Sequence, residues 1–170
     1  MDNSFQWITD YQNVVELYHA ESDRGAAVLA ASLVDKCLED CLHRFFVQDS
    51  SIDELFTGYG PLTTSASKAG VAFALGLISV EMKRDLTYIR KVRNHFAHHP
   101  SEATFDVSPV RELCSNLSLA KPIPAQDGGT FQETNPRLQY LFTVGMTILR
   151  LYKIVEVQNK RTIPSVFPPT

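Results

Sequence analysis

The chain has 170 residues, 44% of them hydrophobic and 21% charged, with a formal net charge of −3. That length suits one domain, or a domain and a tail, and the balance excludes a disordered chain, a collagen-like repeat and a disulfide miniprotein. A pI near 5.9 argues against broad neutralisation of duplex phosphates and leaves only a local basic patch for nucleic-acid contact.

Residues 1–9 carry no basic residue and no apolar core, so no secretory signal is expected. The apolar stretch 69–78 and the run 141–152, interrupted by Arg150, fall short of the roughly 18–20 residues that span a bilayer. Cys37, Cys41 and Cys114 are odd in number and lack C-x-x-C spacing. Reduced thiols and a cytoplasmic location are expected.

Nearly every long segment has helical period. Residues 4–20 place Trp7, Tyr11, Val14, Leu17 and Tyr18 on one stripe. Ser22 or Asp23 can cap a helix over 24–47, whose apolar stripe runs from Ala27 to Phe45, with Leu29, Leu33 and Phe46 on other sides. A helix apolar over so much of its girth belongs at the centre of a bundle. A capping box at 51–54 opens a short helix through Phe56, and 57–61 is a turn. Helices follow over 63–77 and, capped by Ser79, over 80–97, where Pro100 enforces the stop. Ser108 and Pro109 start a short helix to Leu117, 121–134 is a loop, and a last helix runs from Asn135-Pro136 to Lys160. The predicted class is all-α: a single helical bundle over 1–160, with a proline-rich tail over 161–170.

One position breaks the pattern. At about 100° per residue from Met82, Leu86, Ile89 and Phe96 fall within about 40° of it, and Arg93 falls at about 20°. A guanidinium in that stripe needs a carboxylate, carbonyls or an anion, because an unpaired buried charge costs several kcal/mol. Asp35 and Glu39, one turn apart on the central helix, are candidate partners. Arg93 either fixes helix register in an internal ion pair or holds a charge at a cleft or subunit seam.

His98 follows five residues later, where terminal unwinding could bring it to Arg93. A histidine that abstracts a ribose 2′-hydroxyl proton and an arginine that stabilises charge on phosphorus would make a metal-free RNA-cutting pair. The segment 80–99 holds Lys83, Arg84, Arg90, Lys91 and Arg93 against Glu81 and Asp85, a net +3 in an acidic chain. Lys83, Arg84 and Lys91 are candidate nucleic-acid contacts, although a solvated face reads equally well.

His95 with His98 or His99 has ligand spacing, but Phe96 replaces the glutamate of H-E-x-x-H. No metal and no cofactor are expected. Ala72, Gly76 and Ser79 before a basic helix have helix-turn-helix spacing, yet the second helix carries an apolar stripe where base-reading side chains should stand. An α-hairpin within a bundle is the better reading. P-loop and G-x-S-x-G patterns are absent.

Three stretches taken together resemble the mannitol operon repressor (MtlR/MltR) family. They are Ser22-Asp23-Arg24-Gly25-Ala26-Ala27 leading to Leu33-Val34-Asp35 and Leu38-Glu39; Gly58-Tyr59-Gly60-Pro61-Leu62 with Ala72-x-Ala74-Leu75-Gly76-Leu77-Ile78-Ser79; and Asp85-Leu86 with Ile89-Arg90-Lys91-Val92-Arg93-Asn94-x-Phe96-Ala97-His98. The resemblance implies a bacterial transcriptional regulator, all-helical and without a standard DNA-reading motif. Arg93-Asn94-x-x-x-His98 also resembles the Arg-x-x-x-x-His signature of HEPN domains, helical bundles that are often dimeric and often metal-independent endoribonucleases. That likeness would make Arg93 and His98 catalytic, with Asn94 their polar neighbour. The favoured expectation is a cytoplasmic homodimer that regulates through a protein partner, with nucleic-acid contact secondary, no membrane role and no enzyme activity. The competing one is an HEPN ribonuclease.

Overall fold

The computed structural model describes residues 18, 20–99, 103–124 and 130–157. The predicted helix over 4–20 lies outside them except at Tyr18 and Ala20, and the predicted tail lies wholly outside. The described residues form six α-helices: α1 (Asp23–Phe45), α2 (Asp53–Phe56), α3 (Ser65–Ala74), α4 (Val80–His98), α5 (Val110–Ser115) and α6 (Pro136–Val157). The chain is all-α, and among the described residues the only strand pairing is a two-residue antiparallel contact of Ile123–Pro124 with Thr130–Phe131 inside the expected loop.

Local chemistry sets the helix ends. The Ser22 hydroxyl accepts from the Gly25 amide at 3.1 Å and starts α1, and Ser79 does the same for Met82 in α4. The 51–54 capping box gives way to Asp49, whose carboxylate accepts from the Ser51 amide at 2.9 Å and opens a 3₁₀ turn, Ser50–Ile52, ahead of α2. The helix predicted to reach Leu77 stops at Ala74. Gly76 takes a φ of +69°, its amide donates to Phe73 O, and the Leu77 amide donates to Ala72 O. These are the two bonds of a Schellman cap, which glycine makes without a Cβ penalty.

The long helix α1 packs against α6, α4 and α3, as its girth of apolar residues predicts, while α5 leans on α4 and α6. Ala26, Ala27 and Ala30 are fully buried; small residues there let α6 approach closely. Phe96, Phe105 and Tyr140 pack as a chain of tilted rings, with centroids 5.0 and 5.4 Å apart. The Tyr140 hydroxyl donates to Ala27 O at 2.8 Å, so the one polar atom of this aromatic wedge is satisfied. The apolar stripe of α4 (Met82, Leu86, Ile89, Val92 and Phe96) is buried. That helix is therefore a wall of the bundle, and α3–α4 is an α-hairpin.

Candidate functional site

Three polar knots pin the bundle. The buried cation is Lys68 on α3, only 3% exposed. Its ammonium meets Asp35 at 2.9 Å and Glu39 at 2.7 Å on α1. Burial works against that charge, but the hydrogen bonds and charges of the two carboxylates outweigh it and hold the Lys68 pKa above 10.5. The Lys68 bond in turn pulls Glu39 below 4.5. In the second knot the buried Asp85 accepts from the Ser118 amide at 2.9 Å and from its hydroxyl, capping the short 3₁₀ turn Ser118–Ala120. In the third, Arg137 donates to Tyr18 O, Glu21 O and Asp23, whose other oxygen takes the Phe105 amide.

The structure thus corrects the expectation for Arg93. Asp35 and Glu39 do answer a buried cation, but it is Lys68. Arg93 is exposed, has no salt bridge among the described residues, and donates to Asn94 Oδ1 at 3.1 Å. The reason is a rotation of the buried arc. Asp85 and Val92 are inside, so the arc runs from about −80° to +40° relative to Met82 and Arg93 sits towards its rim. At that level α4 faces a cleft instead of packed side chains.

This cleft, of about 420 Å³, lies between α1 and α4 and is closed at one end by the start of α3. Ala31, Val34, Leu86 and Ile89 supply apolar walls. Arg90, Arg93 and Asn94 line one side, and Thr63, Thr64 and Ser65 line the end. Asp35 is the one acidic residue in the lining, and its Oδ2 is already held by Lys68.

The basic residues of α4 divide by angle. Arg90 and Arg93 turn to the cleft, while Arg84 and Lys91, at about 180–200° from Met82, turn outward and are exposed. Lys83 is half-buried with its ammonium 4.3 Å from the Phe73 ring centre, and Lys91 lies 5.4 Å from Tyr88. Of the three candidate nucleic-acid contacts, Lys83 is therefore committed to a cation–π contact between α3 and α4.

The helix α4 stays regular through His98. Without terminal unwinding, Arg93 and His98 diverge by about 140° around the axis, so one chain does not bring them to a common point. His95 and His99 instead stack, with centroids 4.2 Å apart. Among the described residues no three His, Cys, Asp or Glu side chains gather as a metal site, and no helix is long and apolar enough to cross a membrane.

The bundle and site define an all-helical module that presents a cationic helix and a donor-lined cleft. A family model described as the mannitol repressor matches residues 12–161, so the chain belongs to the mannitol repressor family and is a transcriptional regulator of that type. Two solved structures share the fold. The MtlR–HPr complex from Escherichia coli matches with a TM-score of 0.58 at 19% identity, over 86% of this chain and 96% of that one. YggD of Shigella flexneri, described as a possible transcriptional regulator, matches with a TM-score of 0.62 at 16% identity, over 85% and 96%. No curated protein matches the chain.

Proposed function

We propose that this regulator acts in the cytoplasm through protein contacts, as a homodimer that engages an HPr-type partner, and that nucleic-acid contact is secondary. The observation that carries this is the family match across residues 12–161, joined to a shared fold with a relative solved in complex with HPr. The surface agrees in kind. Phe142 and Met146 lie one turn apart on α6 and are 48% and 40% exposed, which offers an apolar stripe for a second copy. The base-reading role is disfavoured because the stripe of α4 is spent on the core.

Size-exclusion chromatography with light scattering tests the reading. The chain alone should run at twice its 19.1 kDa mass, and addition of HPr should move it to a heavier species. A monomer that ignores HPr would refute both parts. The competing endoribonuclease reading would use Arg93 and His98, which a regular helix sets about 140° apart around its axis; cleavage of RNA in EDTA that Arg93→Ala and His98→Ala both abolish would establish it.

A further inference from the structure

We propose that the cleft between α1 and α4 binds a small zwitterion, an apolar amino acid or dipeptide whose carboxylate meets Arg90 and Arg93 and whose ammonium meets Asp35. Such a site belongs to this chain's own residues and does not depend on the protein-partner reading above.

Opposite charges stand unanswered on the two walls of the cleft. On α4, Arg90 is half-buried and Arg93 exposed; both line the cleft, and neither has an ion pair among the described residues. They are three residues apart, on neighbouring positions of one helix face. Arg93 spends one donor on Asn94 Oδ1 and keeps the rest of its fork. On α1, Asp35 gives Oδ2 to Lys68 at 2.9 Å, but Lys68 is shared with Glu39 at 2.7 Å, so one ammonium serves two carboxylates. Asp35 Oδ1 is shielded from solvent and meets no donor among the described residues. A desolvated carboxylate oxygen left without a donor is costly.

A lone anion would satisfy the arginines and be repelled by Asp35, and a lone cation would meet the reverse. A molecule with a carboxylate at one end and an ammonium at the other answers both walls. The guanidinium forks match a carboxylate, and the ammonium supplies the donor that Asp35 lacks. The Asp35 side chain is 34% exposed and lines the cleft, so a turn of its carboxyl presents one oxygen to the ligand while the other keeps Lys68. Ala31, Val34, Leu86 and Ile89 form apolar wall, which suits an aliphatic side chain. At the closed end the Thr63 hydroxyl donates to Gly60 O and the Thr64 hydroxyl is bonded to Ser67, so that end asks for no further polar group. The volume, about 420 Å³, lies within the roughly 300–1,000 Å³ of small-molecule sites.

The test is an amide NMR titration of the ¹⁵N-labelled full chain with leucine, alanyl-leucine, isoamylamine (leucine without its carboxylate) and 4-methylvalerate (leucine without its ammonium). Leucine or alanyl-leucine should shift amides within residues 31–35 and 86–94 and saturate, and the tighter of the two reports the charge separation that the site accepts. That zwitterion should bind at least about tenfold tighter than either single-charge analogue. Arg93→Gln changes an exposed side chain and should weaken the zwitterion about tenfold while leaving isoamylamine unchanged. Asp35→Asn should erase the preference over 4-methylvalerate; should that variant fail to fold, the Arg93→Gln comparison decides alone. Binding of either analogue as tight as that of the zwitterion, shifts confined to other surfaces, no saturation by leucine or alanyl-leucine at millimolar concentration, or unchanged affinity in Arg93→Gln would overturn the proposal.

Discussion

Lys68 and Asp35, 33 residues apart in sequence, close a 2.9 Å ion pair that ties α3 to the central helix. Glu39 completes the triad at 2.7 Å. Replacing the lysine leaves two carboxylates one turn apart with no cation between them. Lys68→Met is expected to lower stability by about 2–4 kcal/mol, below the full cost of breaking a buried pair because both carboxylates keep some contact with water. Urea unfolding of both proteins measures it.

The same triad sets a pH profile. Glu39 has a depressed folded pKa, so its contribution is present above its unfolded value and is lost as pH falls through the folded one. Lys68 has a raised folded pKa, so its contribution is present below 10.5 and is lost as pH rises through the folded value. Stability should therefore hold across the neutral range and decline at both ends. Melting curves from pH 3 to pH 11 should show both declines in the wild type and weaker ones in Lys68→Met.

Asp85 is 2% exposed and holds the Ser118 amide. Asp85→Ala strands that donor in the core and should cost about 1–3 kcal/mol. Asp85→Asn keeps an acceptor and should recover part of the loss. Equal destabilisation by both substitutions would contradict the capping role.

Arg137 makes a longer-range tie, joining the start of α6 to Asp23, 114 residues away. It also collects two carbonyls just before α1. Arg137→Met should destabilise by about 2–3 kcal/mol. Hydrogen exchange should show the faster amides concentrated at the start of α1 and around Phe105, with α3 little changed.

The thiols should be inert in the native protein. Burial pushes Cys114 up to about 12, and Cys37 and Cys41 to about 11. Iodoacetamide at neutral pH should leave Cys41 and Cys114 unmodified until denaturant is added. Rapid labelling of either would contradict their burial.

Much of the bundle was readable because its helices are amphipathic and punctuated by side chains with local jobs. The stripe from Met82 to Phe96 and the caps at Ser22 and Ser79 are short-range effects, visible within one or two turns. Gly76 lies inside the helix that periodicity extends to Leu77, and the Gly76 and Leu77 amide bonds end α3 at Ala74 instead. The site was harder. Lys68 is the one charged residue between Leu62 and Val80 and stands one turn before the buried Ala72, which is a signal. However, a lysine so placed often snorkels to water, and only the tertiary approach of Asp35 and Glu39 decides otherwise. Arg93 misled for the converse reason. Helical angle fixes where it leaves the axis, whereas the neighbours at that level, here a cleft, decide what it meets. Asp23 with Arg137 has no local signal at all.

Calorimetric titration of purified HPr into the folded chain, with duplex DNA titrated in parallel at the same ionic strength, separates regulation through a protein partner from regulation through DNA. Saturable binding of HPr and only weak, salt-sensitive heat from DNA are expected. No binding of HPr, together with tight and sequence-selective binding of DNA, would contradict regulation through a protein partner.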